Sequence, residues 1–165
     1  MPEDFSSPLR FLPVGLNLQA KNCLVVGGGT VGARKALTLT RAGARVTVVS
    51  PAINGELEPE VQAGRIQWRK AVFRQEHLAG VFLAVAATDD QAVNAAVVRA
   101  AGRHGALVCD ASSAQRSQVI FGALLEGSGF TAAVFTAGRD PALARQVRDQ
   151  IADYVAEGRP AADEP

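Results

Sequence analysis

The chain has 165 residues, enough for one domain or one domain with a small appendage. Hydrophobic residues make up 48% and charged residues 20%, which excludes a disordered chain. With 17 Lys and Arg against 16 Asp and Glu, the net charge of +1 argues against a protein whose main task is gripping nucleic acid or a membrane. The two cysteines, Cys23 and Cys109, lie in apolar runs and read as reduced core thiols. Together with two His they match no metal-ligand spacing, so no metal is expected. No apolar run nears the length of about 18 residues that a membrane span needs. Glu3, Asp4 and Pro8 stand where a secretion signal would need a basic start and an apolar stretch, so a soluble cytoplasmic protein is expected.

In chain order, residues Met1 to Leu9 read as a loose leader, and Leu12 to Leu18 alternates enough to suggest a short edge strand. Cys23-Leu24-Val25-Val26 is a short apolar run bounded by glycines, the pattern of a strand buried on both faces. A helix is predicted from Val31 to Ala42, with Ala33, Ala36, Leu37 and Leu39 facing a sheet and Gly43 just past its end. Arg45 to Val49 is β-branched and reads as a strand stopped by Ser50-Pro51. A short helix from Glu56 to Gln62 and a strand from Ile66 to Lys70 follow. Val81 to Ala87 reads as a central strand, and Thr88 or Asp89 as the cap of a helix from Gln91 to Arg103. Ala106 to Cys109 is a further strand. Strands alternating with helices imply a parallel sheet with right-handed crossovers.

After Asp110 the pattern changes. Ala111 to Ser117 is small and polar, hence a loop. The apolar stretches Gln118–Leu125 and Phe130–Thr136 flank Glu126-Gly127-Ser128-Gly129 and predict a β-hairpin. Asp140 as N-cap and Pro141 at the first position open a final helix, with Leu143, Val147, Ile151 and Tyr154 as its apolar stripe. Gly158-Arg159-Pro160 is expected to end it. The fold class expected is α/β: a Rossmann-type parallel sheet over residues 1–116, a hairpin-plus-helix dimerisation segment over 117–158, and a disordered tail over 159–165. A lone hairpin and helix need a covering partner, so a homodimer is expected.

Gly27, Gly29 and Gly32 match G-x-G-x-x-G between a buried strand and a helix. In that setting the first glycine permits a tight turn, the second lets a diphosphate approach the backbone, and the third lets helix and strand pack closely. The diphosphate then meets the N–H groups and dipole of the helix start, here Thr30 and Val31. The acid expected after the second strand to hold a ribose is replaced by Ser50-Pro51-Ala52. Ser50 can bond a ribose hydroxyl and does not repel a 2′-phosphate, and no Arg follows it. NAD is therefore preferred, with NADP left open. Thr88 and Asp89, at the carboxyl end of the central strand, are placed beside the cofactor or read as a helix cap alone.

Taken together, these segments resemble the precorrin-2 dehydrogenase family, which includes the N-terminal half of siroheme synthases. The resemblance is carried by the lead-in Leu12-Pro13 through Leu18, Leu24 to Lys35, Ala42 to Pro51, Ala86-Ala87-Thr88-Asp89-Asp90 with Val93-Asn94, and Gly138 with Pro141-Ala142-Leu143-Ala144-Arg145. It covers residues 12–158. It implies NAD-dependent oxidation of precorrin-2 to sirohydrochlorin in siroheme (porphyrin-type) biosynthesis by a homodimer, with iron insertion in some members. Family members often carry a further small helical domain that the resemblance does not reach here. The family's Asn-x-x-Asp stretch departs: counted back from Ile120-Phe121, its Asp falls on Ser112 and its Asn on Cys109, with an acid at Asp110. The family's Ser-Ser/Thr-Gly-Gly reads Phe135-Thr136-Ala137-Gly138.

On this resemblance Asp110 is the candidate acid–base group, with Ser112 and Thr136 orienting substrate or water. The tetrapyrrole carries many carboxylates, and Arg116 and Arg139 are the candidates to meet them, ahead of Arg145 and Arg148. The alternative for Asp110 is a cap of the loop after its strand. The alternative for the whole chain is a dinucleotide-sensing regulatory domain or non-catalytic paralogue, whose binding shifts a population rather than driving chemistry.

Overall fold

The computed structural model describes residues 9–157, so the expected tail, the helix stop after Gly158 and most of the leader lie outside the described residues. The chain divides into two compact units, one of residues 14–119 and one whose described part is residues 9–13 and 120–157.

In the first unit, β1 (Asn22–Val26), β2 (Arg45–Val49), β3 (Ile66–Arg69), β4 (Leu83–Ala86) and β5 (Leu107–Asp110) form one sheet in the order β3-β2-β1-β4-β5. Every pairing is parallel, and the register sets Val26 beside both Val49 and Ala86, and Ala86 beside Asp110. The carboxyl ends of β1, β4 and β5 therefore form one rim, with neighbours about 4.8 Å apart. β1 has β2 on one side and β4 on the other, so the chain reverses its order at β1. Such a switch point opens a crevice above the carboxyl ends.

Side chains alternate between the two faces. Leu24, Val26, Val49, Ala84, Ala86 and Val108 pack with Val97, Ala100 and Ala101 of α3 (Gln91–Arg103). The opposite face meets α1 (Thr30–Arg41), whose buried Gly32, Ala33, Ala36 and Leu39 recur at helical spacing. Gly43 ends α1 with φ +80, which explains a glycine there. A single 3₁₀ turn (Gly55–Leu57) leads into the short α2 (Glu58–Gln62).

Two sequence expectations change here. Residues 12–18 join neither sheet: Pro13 has no N–H for a ladder, and Leu12, Val14 and Leu16 are exposed while Leu18 is buried. The cap of α3 is Asp90 rather than Thr88 or Asp89, because its carboxylate accepts from the N–H groups of Ala92 (2.7 Å) and Val93 (3.2 Å).

In the second unit, β6 (Ala123–Gly127) and β7 (Phe130–Val134) form a hairpin across Ser128-Gly129. The first strand starts later than expected: Gln118 and Val119 instead donate to the Val108 carbonyl of β5. α4 (Pro141–Glu157) packs on both hairpin strands. Asp140 caps it, accepting from the N–H groups of Ala142 (3.0 Å) and Leu143 (2.9 Å). Leu143, Ile151 and Tyr154 of its apolar stripe remain exposed.

Candidate functional site

The four glycines of the first loop have different neighbours. Gly27 has φ +110, and a Cβ there would lie 2.3 Å from the Ala87 carbonyl oxygen, across the β1–β4 crevice. A Cβ on Gly28 would lie 2.2 Å from the Ala52 oxygen, and one on Gly32 would lie 2.0 Å from the Gly27 oxygen. These three positions are closed by the protein's own backbone. Gly29 differs, since a Cβ there would meet nothing within 4 Å. Its φ of −72° and ψ of −175° suit any residue, so neither strain nor crowding inside the protein explains a glycine. The open space stands directly before α1. No side chain caps that helix and no acid lies in its first turn. A helix start of this kind attracts an anion, and the chain's own residues leave room for one there.

The neighbouring turns close around this point. Gly27 N–H donates to the Val49 carbonyl (3.0 Å), and Asn54 N–H donates to the Gly28 carbonyl (2.6 Å). Asn54 Nδ2 also reaches Thr30 Oγ1 at 3.4 Å. Ser50 is buried, its N–H donates to the Arg69 carbonyl, and its carbonyl accepts from the Trp68 indole at 3.0 Å. Pro51 and Ala52 are exposed and line a shallow recess of about 390 Å³ with Trp68 and Lys70. No acid occupies the end of β2. Thr88 sits at the end of β4, half-buried, and Asp89 is exposed. Gly27, Gly29, Ser50, Pro51, Ala52, Thr88 and Asp89 thus belong to the turns that follow β1, β2 and β4, and Thr30, Val31 and Gly32 form the first turn of α1.

A second cluster occupies the end of β5. Asp110 is buried and its side chain is wholly enclosed. Its Oδ1 accepts from Ser112 N–H (2.9 Å) and Ser112 Oγ–H (2.6 Å), and its Oδ2 from Arg116 Nε (2.6 Å). Burial pushes the carboxyl upward, but the bonds from Ser112 and Arg116 outweigh it and hold the group below the usual range. Asp110 is thus an anion that anchors the following loop, and Arg116 is turned inward to it. The structure brings Asp110, Ser112 and Arg116 together. Thr136 and Arg139 belong to the second unit, where Thr136 Oγ1 lies 2.8 Å from the Asp140 carbonyl and accepts from Asp140 N–H at 3.2 Å. Arg139 is exposed.

Residues 14–123 match the family model described as "Putative NAD(P)-binding". The siroheme synthase of Photorhabdus laumondii is 38% identical over 143 residues, covering 87% of this chain and 30% of that protein. Siroheme synthase 1 of Yersinia enterocolitica is 42% identical, with the same coverage. A solved structure named SirC, precorrin-2 dehydrogenase, is 30% identical with a TM-score of 0.78, over 87% of this chain and 71% of that one. The chain belongs to the precorrin-2 dehydrogenase and siroheme synthase family. It spans 30% of the length of the siroheme synthases it matches.

Within this family member, sequence reasoning missed two residues of the rim. Asn54 ties the second turn to the glycine loop, and nothing in its local sequence distinguishes it from an ordinary turn Asn. Asn94 is fully buried in the first turn of α3. A polar residue on the stripe of Val97 and Ala101 was the available signal. Cys23 and Cys109 are free and buried, and burial pushes Cys23 up to about 11, so both are protonated core thiols.

Proposed function

We propose that this protein binds NAD on the rim of β1 and β4 and oxidises precorrin-2 to sirohydrochlorin in siroheme biosynthesis. The observation that carries the reading is the open space at Gly29 before an uncapped helix, in a chain of this family. The N–H groups of Thr30, Val31 and Gly32 are assigned to the diphosphate, and Ser50 with Pro51 and Ala52 to the adenosine ribose. Thr88 and Asp89 are assigned to the nicotinamide side. When bound, NAD supplies the hydride acceptor.

Two hydrogens leave precorrin-2, one as hydride and one as a proton. The proton is assigned to Ser112 and Asp110. Ser112 is exposed, and its hydroxyl already donates to Asp110 Oδ1, so a proton accepted by Ser112 can be matched by one passed inward. Arg116, held through Nε and Nη2 by Asp110 and Ser112, presents its remaining edge to a substrate carboxylate. Arg139 is assigned to another carboxylate and Thr136 to substrate or water, on chemical grounds alone. The exposed Leu143, Ile151 and Tyr154 favour a homodimer built by the second unit. A cytoplasmic location accords with the reduced thiols.

Anaerobic incubation with precorrin-2 and either NAD or NADP tests the reading. NADH and sirohydrochlorin are expected to form together, faster than with NADP. Binding of NAD without turnover would instead indicate a sensor. Supplying sirohydrochlorin and ferrous ion separately reads out iron insertion.

A further inference from the structure

Asn94 is 0% exposed on the otherwise apolar buried stripe of α3. A side-chain amide in such a place is costly unless its bonding capacity is filled. Here its Oδ1 accepts from Thr88 N–H at 3.0 Å and lies 2.8 Å from Thr88 Oγ1. Its Nδ2 donates to the Thr88 carbonyl at 2.9 Å and to Ser112 Oγ at 3.3 Å. Both amide protons and the oxygen are thereby used. Capping does not explain this arrangement, because Asp90 already caps α3. An apolar residue of similar size would fill the same space.

The bonds of Asn94 run instead to two separate loops. Thr88 follows β4, and its N lies 3.0 Å from where a Gly27 Cβ would stand. Ser112 follows β5, donates to Asp110, and accepts from Arg116 Nη2 at 3.2 Å. One line of hydrogen bonds therefore passes from the wall of the glycine loop through Asn94 to Ser112, Asp110 and Arg116. The geometry points to Asn94 as a positioning residue whose amide holds the β4 loop and the β5 loop in a single register. The inference rests on the function proposed above only for what this register serves: keeping the hydride-accepting side and the proton-accepting side aligned.

The test reads each loop while the other is perturbed. Asn94→Asp keeps the acceptor for the Thr88 N–H but can donate neither to Ser112 nor to the Thr88 carbonyl, so its readout is the loop after β5. Ser112→Ala breaks the same link from the far end and places no charge in the core, so it serves if Asn94→Asp does not fold. Backbone hydrogen exchange is followed by mass spectrometry and NMR. Exchange across residues 111–117 is expected to rise about tenfold in N94D, and that of the Thr88 amide about tenfold in S112A. Ser112→Thr restores the hydroxyl and is expected to return Thr88 to wild-type exchange. In turnover with precorrin-2 and NAD, both loosened variants should lose about 10- to 100-fold in kcat, with KM for NAD changed by less than about threefold. Effects confined to the altered loop, or no rescue by S112T, would overturn the inference. Loosening transmitted between the loops, in a protein that never turns over precorrin-2, would uphold the register and overturn the reaction.

Discussion

Replacing Gly29 and Gly32 separately by Ala should divide binding from folding. The Gly29 backbone is extended and a methyl there meets nothing of the protein. As an N-cap, Gly→Ala costs at most about 1 kcal/mol, or about 2–4 °C in Tm for a chain of this size. At Gly32 the methyl would stand 2.0 Å from the Gly27 oxygen and 2.9 Å from its carbonyl carbon. Backbone cannot swing aside as a side chain can, so α1 must lift from β1. Overpacking of this kind costs about 3 kcal/mol, at the upper end of its usual range, or about 6–12 °C. The order reverses for NAD. The Gly29 methyl would fill the space assigned to the diphosphate, and a loss of about 2 kcal/mol weakens Kd about 30-fold. Circular dichroism melts and calorimetric titration of NAD measure the two quantities. A G29A protein that melts and binds NAD like the wild type would refute the assignment of this space. A G32A protein with wild-type Tm would refute the steric argument.

The Asp110 carboxyl is depressed in the folded state, so its ionised form contributes stability above the ordinary carboxyl pKa of 3.8, and this is lost as pH falls through the lower folded value. Asp110→Asn should therefore lower Tm at neutral pH, with the gap to wild type narrowing below about pH 4. Thermal melts against pH check this, and unchanged precorrin-2 turnover in D110N would remove Asp110 from the proton path. Ala137 holds φ +52, the left-handed region, at the place where the family resemblance expects Gly. Ala137→Gly should raise stability by about 1 kcal/mol, read as a higher denaturation midpoint. On the exposed stripe of α4, Leu143→Asp together with Ile151→Asp should halve the mass seen by light scattering if a second copy covers it; a double variant that keeps a dimer's mass, or a wild type with a monomer's mass, would refute this interface.

Most of the parallel sheet was legible from local signals. Cys23–Val26 and Val81–Ala87 are apolar runs and Arg45–Val49 is a β-branched one, each bounded by Gly, Pro or polar residues, and such runs have few alternatives to a buried strand. The caps were less certain. Thr88, Asp89 and Asp90 have similar short polar side chains, and only the turn geometry decides that Asp90 reaches two N–H groups. The misread strand at Leu12–Leu18 has alternation but no partner strand, and periodicity cannot report a missing neighbour.

The site divides in the same way. G-x-G-x-x-G and its place between strand and helix depend on residues adjacent in sequence, so the chain alone determined where a dinucleotide is to be sought. Tertiary structure decided what each glycine is for. Gly28, a free position in the motif, is closed by Ala52, while Gly29 opens to solvent, because loops distant in sequence meet there. It also decided that Asp110 and Arg116 are paired through Nε and that Asn94 joins the loops after β4 and β5. Those facts depend on distances between strand ends, which are set by sheet order and register and leave no mark on the local sequence.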